Sequence, residues 1–264
     1  MQNMSSLVLK LIKEDPLEIP RLLVKSILFF MSASRQEEEY YQRRAKLAHF
    51  LAKIGLYESK HLRALSLLVK SGDNVIDVGA NFGVYTANLS RLCGNAGRVH
   101  AFEPMSFVFQ ALKASTASLS NVEYYNVGIS DGKASEAVIH MPLLFNKIPE
   151  PALSTLMDID SECKVEKIIL KKVDDFKDGL PRISFIKVDI EGYEREFFDG
   201  AAALITRDRP VIQFEANKFE GFVEFADAFC ARNSYKVKTF EGNSTFLEFD
   251  YRNKQEQNLY LMPA

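Results

Sequence analysis

The run Asp77-Val78-Gly79-Ala80-Asn81-Phe82-Gly83 sets a carboxylate and two glycines at the end of an apolar stretch, Val75-Ile76-Asp77-Val78. Glycines at such a turn let backbone come close to a ligand, and open α/β sheets bind ligands at the carboxyl ends of their strands. The dinucleotide fingerprint G-x-G-x-x-G, which seats a pyrophosphate on a helix N-terminus, is absent here. A carboxylate two residues before the first glycine would repel a diphosphate and favour a ligand carrying an ammonium or sulfonium. Glu103 closes the next apolar run, Val99–Phe102, about twenty residues on, where an acidic side chain can accept hydrogen bonds from ribose hydroxyls. A nucleoside with positive charge and no pyrophosphate suggests S-adenosylmethionine.

These residues belong to three ordered motifs: Val75-Ile76-Asp77-Val78-Gly79-Ala80-Asn81-Phe82-Gly83-Val84-Tyr85-Thr86, then Phe102-Glu103-Pro104, then Ile186-Lys187-Val188-Asp189-Ile190-Glu191-Gly192-Tyr193-Glu194. Together they resemble the FkbM family of S-adenosylmethionine-dependent methyltransferases, from about Gly72 to Asn217. The resemblance implies the seven-stranded class I methyltransferase variant of the doubly wound, Rossmann-like fold. It also implies, for most members, methyl transfer to a hydroxyl on a sugar, polyketide or other small metabolite. By the same resemblance Asp77 and Gly79 lie along the methionine part of the cofactor, with Ala80, Asn81 and Gly83 completing the turn. Glu103 would hold the ribose, and Asn126, in Asn126-Val127-Gly128, would approach the adenine. Residues 1–70 have no counterpart in it.

Methyl transfer is an in-line displacement, and aligning the reactants can supply about 7–11 kcal/mol of the barrier. An alcohol acceptor must also lose its proton, and a positioned base is worth roughly a hundred- to ten-thousandfold. Strand alternation puts Lys187 and Asp189 on one side, while Glu191 and Glu194 fall in the following turn and first helical turn. Asp189 is the expected catalytic or substrate-orienting residue. Glu191 is a second candidate, although carboxylates there also favour the positive end of a helix, which is the reading preferred for Glu194. Glu215, closing Val211-Ile212-Gln213-Phe214, is expected in the same crevice. Asp189, Glu191 and Glu215 could instead hold a divalent cation, Mg²⁺-like because no His or Cys accompanies them. That reading stays an alternative to a metal-free site. His140 is an alternative base, since histidine titrates near neutrality. His49, His61 and His100 read as structural, and Tyr85 and Tyr193 as pocket or core.

From residue 74 short apolar runs alternate with helical patterns: runs at 99–102, 122–127, 164–173, 183–188, 211–214, 237–240 and 258–262, with helical stretches to about Leu92 and at 107–119, 193–206 and 222–232. Strands alternating with helices predict an α/β fold with a doubly wound, mostly parallel sheet. Residues 1–70 read as an N-terminal helical cap, and 71–264 as the methyltransferase domain. In the cap, Val8, Leu11 and Ile12 share a face before the break at Asp15-Pro16. Tyr40, Leu47, Phe50, Leu51 and Ile54 form a longer stripe with an exposed Glu39–Arg43 pair, and Leu62, Leu65, Leu68 and Val69 another.

Across 264 residues, 33 Lys+Arg against 35 Asp+Glu leave a net charge of -2, which argues against a nucleic-acid binder. Cys93, Cys163 and Cys230 make neither a paired metal-ligand spacing nor a secreted disulfide framework. The start of the chain lacks a signal-peptide layout, and Ile27–Met31 falls well short of the roughly 20 apolar residues of a membrane span. A cytoplasmic protein acting on a small-molecule hydroxyl acceptor is expected. Arg21 and Lys25 around Leu22-Leu23-Val24 and the Phe-rich run offer a membrane- or partner-holding surface as the lesser reading. Two further readings remain: a degenerate nucleoside-binding module, dimeric through residues 1–70, and a nicotinamide dehydrogenase, disfavoured by Asp77.

Overall fold

The computed structural model describes residues 37–55, 58–143, 149–151, 154–156, 162–190, 192–216, 219, 221–241, 244–252 and 258–264. The expectations for Val8–Ile12, Asp15-Pro16 and the Arg21–Met31 stretch lie outside the described residues, as does Glu191.

Among the described residues two helices, α1 (Glu37–Lys53) and α2 (Ser59–Leu68), precede the first strand, and the exposed Glu39–Arg43 pair forms on α1 as its spacing requires. The chain then alternates through β1 (Asn74–Val78), α3 (Val84–Cys93), β2 (Arg98–Phe102), α4 (Ser106–Thr116) and β3 (Val122–Tyr125). A small sheet follows, made of β4 (Gly128–Ile129), β5 (Glu136–Pro142) and β6 (Cys163–Lys171). The alternation resumes with β7 (Ile183–Val188), α5 (Glu194–Gly200), α6 (Ala202–Asp208), β8 (Val211–Glu215), α7 (Phe222–Asn233), β9 (Tyr235–Glu241), β10 (Thr245–Glu248) and β11 (Asn258–Pro263).

The main sheet runs β10-β9-β11-β8-β7-β1-β2-β3. Strands β8, β7, β1, β2 and β3 pair in parallel; the first four are largely buried, as expected for strands with helices on both faces, and β3 at the edge is half-buried. The expected seven-stranded sheet is therefore corrected to eight strands in a mixed arrangement, because β11 runs antiparallel between β8 and β9 and β10 adds a further antiparallel edge. Strand β10 escaped the apolar pattern because an exposed edge needs little of it; Thr245, Leu247 and Glu248 are all exposed.

Other departures also have local causes. The stretch read as one helix over 193–206 breaks at Ala201 into α5 and α6. Just before the break, Gly200 lies so close to the carbonyl oxygen of Ser130 that a Cβ there would sit 2.0 Å from it. The run at 164–173 is strand β6, but it pairs with β5 and β4 and not with the main sheet. This second sheet and α1 close over α4 through a common cluster that includes Tyr41, Phe82, Met105, Ile139, Met141 and Ile168. Two polar clasps accompany that packing: Arg44 makes a bidentate ion pair with Glu150 (2.8 and 2.6 Å), and the Tyr41 hydroxyl donates to the Pro149 carbonyl. The three cysteines are free. Among the described residues no helix is long and apolar enough to cross a membrane.

Candidate functional site

Strand β1 delivers Asp77 in a fully buried position, and the turn that follows folds back on itself. The N–H groups of Gly79 and Ala80 both donate to the Phe102 carbonyl at 3.0 Å, and Gly83 donates to Ala80 at 2.9 Å. Gly79 has φ +73°, and an added Cβ would lie 1.9 Å from the Asp189 carbonyl oxygen, so only glycine fits. Asn81 also adopts positive φ (49°), a conformation that asparagine tolerates better than most residues. The sequence pattern thus becomes a backbone cradle over the tips of β1 and β2, leaning on the tip of β7.

Glu103 reaches beneath that cradle. One carboxylate oxygen accepts from the Asn81 N–H (2.9 Å) and the other from the Met105 N–H (3.0 Å). Burial raises its carboxyl to about 7, although those two backbone donors pull the other way. Asn126 donates to the carbonyls of Glu103 and Pro104, both at 2.9 Å, and so fixes the backbone carrying Glu103. From above, His49 on α1 donates through Nε2 to the Phe82 carbonyl at 2.9 Å, while Arg44 stacks over the Phe82 ring. Burial lowers the His49 ring below the usual histidine range, with the bond to Phe82 opposing it. His49 was read as structural, and here it steadies the cradle.

The turn retains two buried acceptors. Asp77 Oδ2 accepts from the Thr86 hydroxyl at 2.6 Å, but Asp77 Oδ1 has no hydrogen-bond partner among the described residues, and neither does Asn81 Oδ1. Burial raises the Asp77 carboxyl, with Lys187 and Thr86 opposing it. Unsatisfied buried acceptors are costly, and this one turn holds both.

Past β7 the character changes. The Asp189 N–H donates to Val78 at 3.1 Å, which ties the tip of β7 to β1, yet its side chain is 43% exposed. Lys187 Nζ, almost fully buried behind it, donates to Asp189 Oδ2 at 3.1 Å. Glu194 is buried and accepts from the N–H groups of Ile190 (3.4 Å) and Gly192 (3.1 Å), so it caps its own turn as the helix-end reading expects. Burial raises Glu194 to about 7; the capping N–H groups oppose that, and the charges of Asp189 and Glu215 add to it. Parallel pairing of β7 with β8 brings the Glu215 tip to the same end of the sheet as Asp189. Among the described residues no group of three His, Cys, Asp or Glu is placed to hold a metal ion. His140 lies on β5, bridged to Thr155 through backbone, with Nδ1 3.8 Å from the Cys163 sulfur.

The site residue that motif reading passed over is Lys187. Its spacing from Asp189 was visible, but its approach to Asp77 follows from the parallel register of β1 with β7, which sequence does not display.

The model of the methyltransferase FkbM domain matches residues 77–250. A methyltransferase FkbM from Methylobacillus flagellatus KT is similar in structure, with 18% identity and a TM-score of 0.48 over 92% of this chain and 59% of that one. The chain therefore spans less than two thirds of that protein's length. Precorrin-6y C5,15-methyltransferase from Geobacter metallireducens GS-15 is similar at 14% identity and a TM-score of 0.41, over 77% of this chain and 85% of that one. Fibrillarin from Aeropyrum pernix, solved with natively bound S-adenosyl-L-methionine, is similar at 12% identity and a TM-score of 0.42, over 76% of this chain and 73% of that one. No curated protein matches.

Proposed function

The chain belongs to the FkbM family of methyltransferases, and we propose that it moves a methyl group from S-adenosylmethionine to a hydroxyl of a small metabolite, sugar or polyketide-like acceptor. The observation that carries this reading is the pair of buried, partnerless acceptors Asp77 Oδ1 and Asn81 Oδ1 around a glycine cradle. They suit a ligand rich in donors and positive charge, and S-adenosylmethionine brings an ammonium, ribose hydroxyls and an adenine amine. When bound, the cofactor supplies the activated methyl group.

The protein's own groups do the rest. Asp77, Gly79, Ala80, Asn81 and Gly83 hold the methionine end, Glu103 accepts from the ribose, and Asn126 keeps Glu103's backbone in place. Asp189 orients the acceptor hydroxyl and takes its proton, with Glu215 lining the same crevice. Its exposure suits it to meet an acceptor, and its grip by Lys187 fixes its direction. Glu191 belongs to the same proposal by sequence position. The domain division at residue 70, a cytoplasmic location and a small-molecule partner complete the reading.

The test is a thermal melt with S-adenosylhomocysteine. At one hundred times its dissociation constant a ligand stabilises by about 2.7 kcal/mol. For a domain of this size that corresponds to a rise of roughly 5–10 °C. No shift, or an equal shift with NAD, overturns the proposal.

A further inference from the structure

Lys187 is a buried cation that the reaction above does not use directly. It faces Asp77 across the β1–β7 register, so both side chains leave the same face of the sheet. Its ammonium is 3.1 Å from Asp189 Oδ2, 3.9 Å from Asp77 Oδ1 and 4.5 Å from the centre of the Tyr85 ring. The Tyr85 hydroxyl in turn donates to Glu58 at 3.1 Å. Nζ is thus held between two carboxylates and an aromatic face.

Resting on the proposed use of S-adenosylmethionine, we propose that Lys187 is a positioning residue: it keeps the buried Asp77 ionised, so that its unpartnered Oδ1 can receive the cofactor's ammonium. A carboxylate taken out of water reverts to its neutral form unless a neighbouring cation holds the charge. The 3.9 Å spacing is close enough for that Coulombic support and too long for a hydrogen bond, so Oδ1 stays open to a donor. Among the described residues the other charged or titratable groups near Asp77 and Lys187 cannot substitute. Asp189 beyond β7, Glu103 beyond β2 and Glu58 before α2 are carboxylic acids, and Tyr85 on α3 carries no positive charge. Burial by itself would push the Lys187 ammonium down, yet Asp189 and Asp77 outweigh it and hold the amine above the usual lysine range. Asp189 thereby anchors the amine from the crevice side and spends only Oδ2 on it.

The experiment is calorimetric titration of S-adenosylhomocysteine into the full chain and into Lys187→Met at several pH values. Each result is expressed as the ratio of variant to wild-type dissociation constant, which cancels any titration common to both, Glu103 included. The ratio is expected to rise from about threefold near pH 8 to about thirtyfold near pH 6, because Asp77 without its cation takes up a proton as pH falls. A lysine that merely packs would change the ratio equally at every pH, and a flat ratio overturns the role. Should Lys187→Met fail to fold, the charge-balanced double variant Asp77→Asn with Lys187→Met carries the test. It is expected to melt as a folded protein and to bind about tenfold more weakly, with a ratio that no longer varies with pH. Wild-type affinity in that double variant overturns the inference. No binding to the wild-type chain overturns the functional reading and this inference with it, whereas wild-type binding with an unaffected variant overturns the role of Lys187 alone.

Discussion

The turn after β1 and the turn after β7 touch each other, yet they are built on opposite plans. After β1 the acidic groups are dry and most of their oxygens are assigned: Glu103 is held by two backbone N–H groups, and Asp77 by Thr86. After β7, Asp189 is nearly half exposed and held by a single lysine. A shared ligand that never varies can be met by a rigid, prearranged cradle. An acceptor that differs between related enzymes is better met at an open rim, where changing a side chain does not disturb the floor. Under the proposed function one turn would bind the cofactor and the other would serve the acceptor, and each half of that proposal can be broken.

The largest effect is expected at the open rim. Once an acceptor is in hand, Asp189→Asn should lower turnover by roughly a hundred- to ten-thousandfold, the usual worth of a positioned base. Steady-state turnover at saturating acceptor checks it, and near-normal turnover would move the base elsewhere. Gly79→Ala is expected to act on both turns at once, because its Cβ would enter the Asp189 carbonyl and its positive φ resists a side chain. A loss of about 3 kcal/mol in unfolding free energy, read from the denaturant midpoint, is the expected outcome. Wild-type stability would mean the two tips are not packed as described.

The smallest effect sharpens the dry side. Glu103→Gln should weaken S-adenosylhomocysteine binding by about 2 kcal/mol, or roughly thirtyfold, as charged acceptors of ribose hydroxyls become neutral. The wild-type chain should show the same loss as a pH effect. The ionised form is the acceptor and burial has raised Glu103 to about 7, so affinity should be full above that pH and fall as pH drops through it. Titration of the two proteins across this range is the check; a pH slope that survives in Glu103→Gln would assign it to another group.

The same contrast explains what could be read from the residues alone. The turn at Asp77, Gly79 and Glu103 was legible because a tight turn between strand tips demands particular residue types, and the parallel strands declared themselves as apolar runs. Family membership followed from those motifs and is borne out over residues 77–250. The strand count was not legible, since edge strand β10 carries almost no apolar pattern and β5 sits in a polar stretch. Nor was the support of the cradle. The His49 bond to Phe82, the Arg44 pair with Glu150 and the approach of Lys187 to Asp77 each join segments far apart in the chain. They depend on packing and register, and neither has a local signature.

The clasp of α1 over Phe82 has a practical bearing on where this protein can be cut. The stretch that identifies the family starts at Asp77, which invites trimming everything before it. A chain shortened that way would leave Phe82, Met105 and Met141 facing water where Tyr40, Tyr41 and Ala45 now shield them. Such a fragment would keep every signature residue and still be a sticky, self-associating product, because the helix that seals it carries no signature at all.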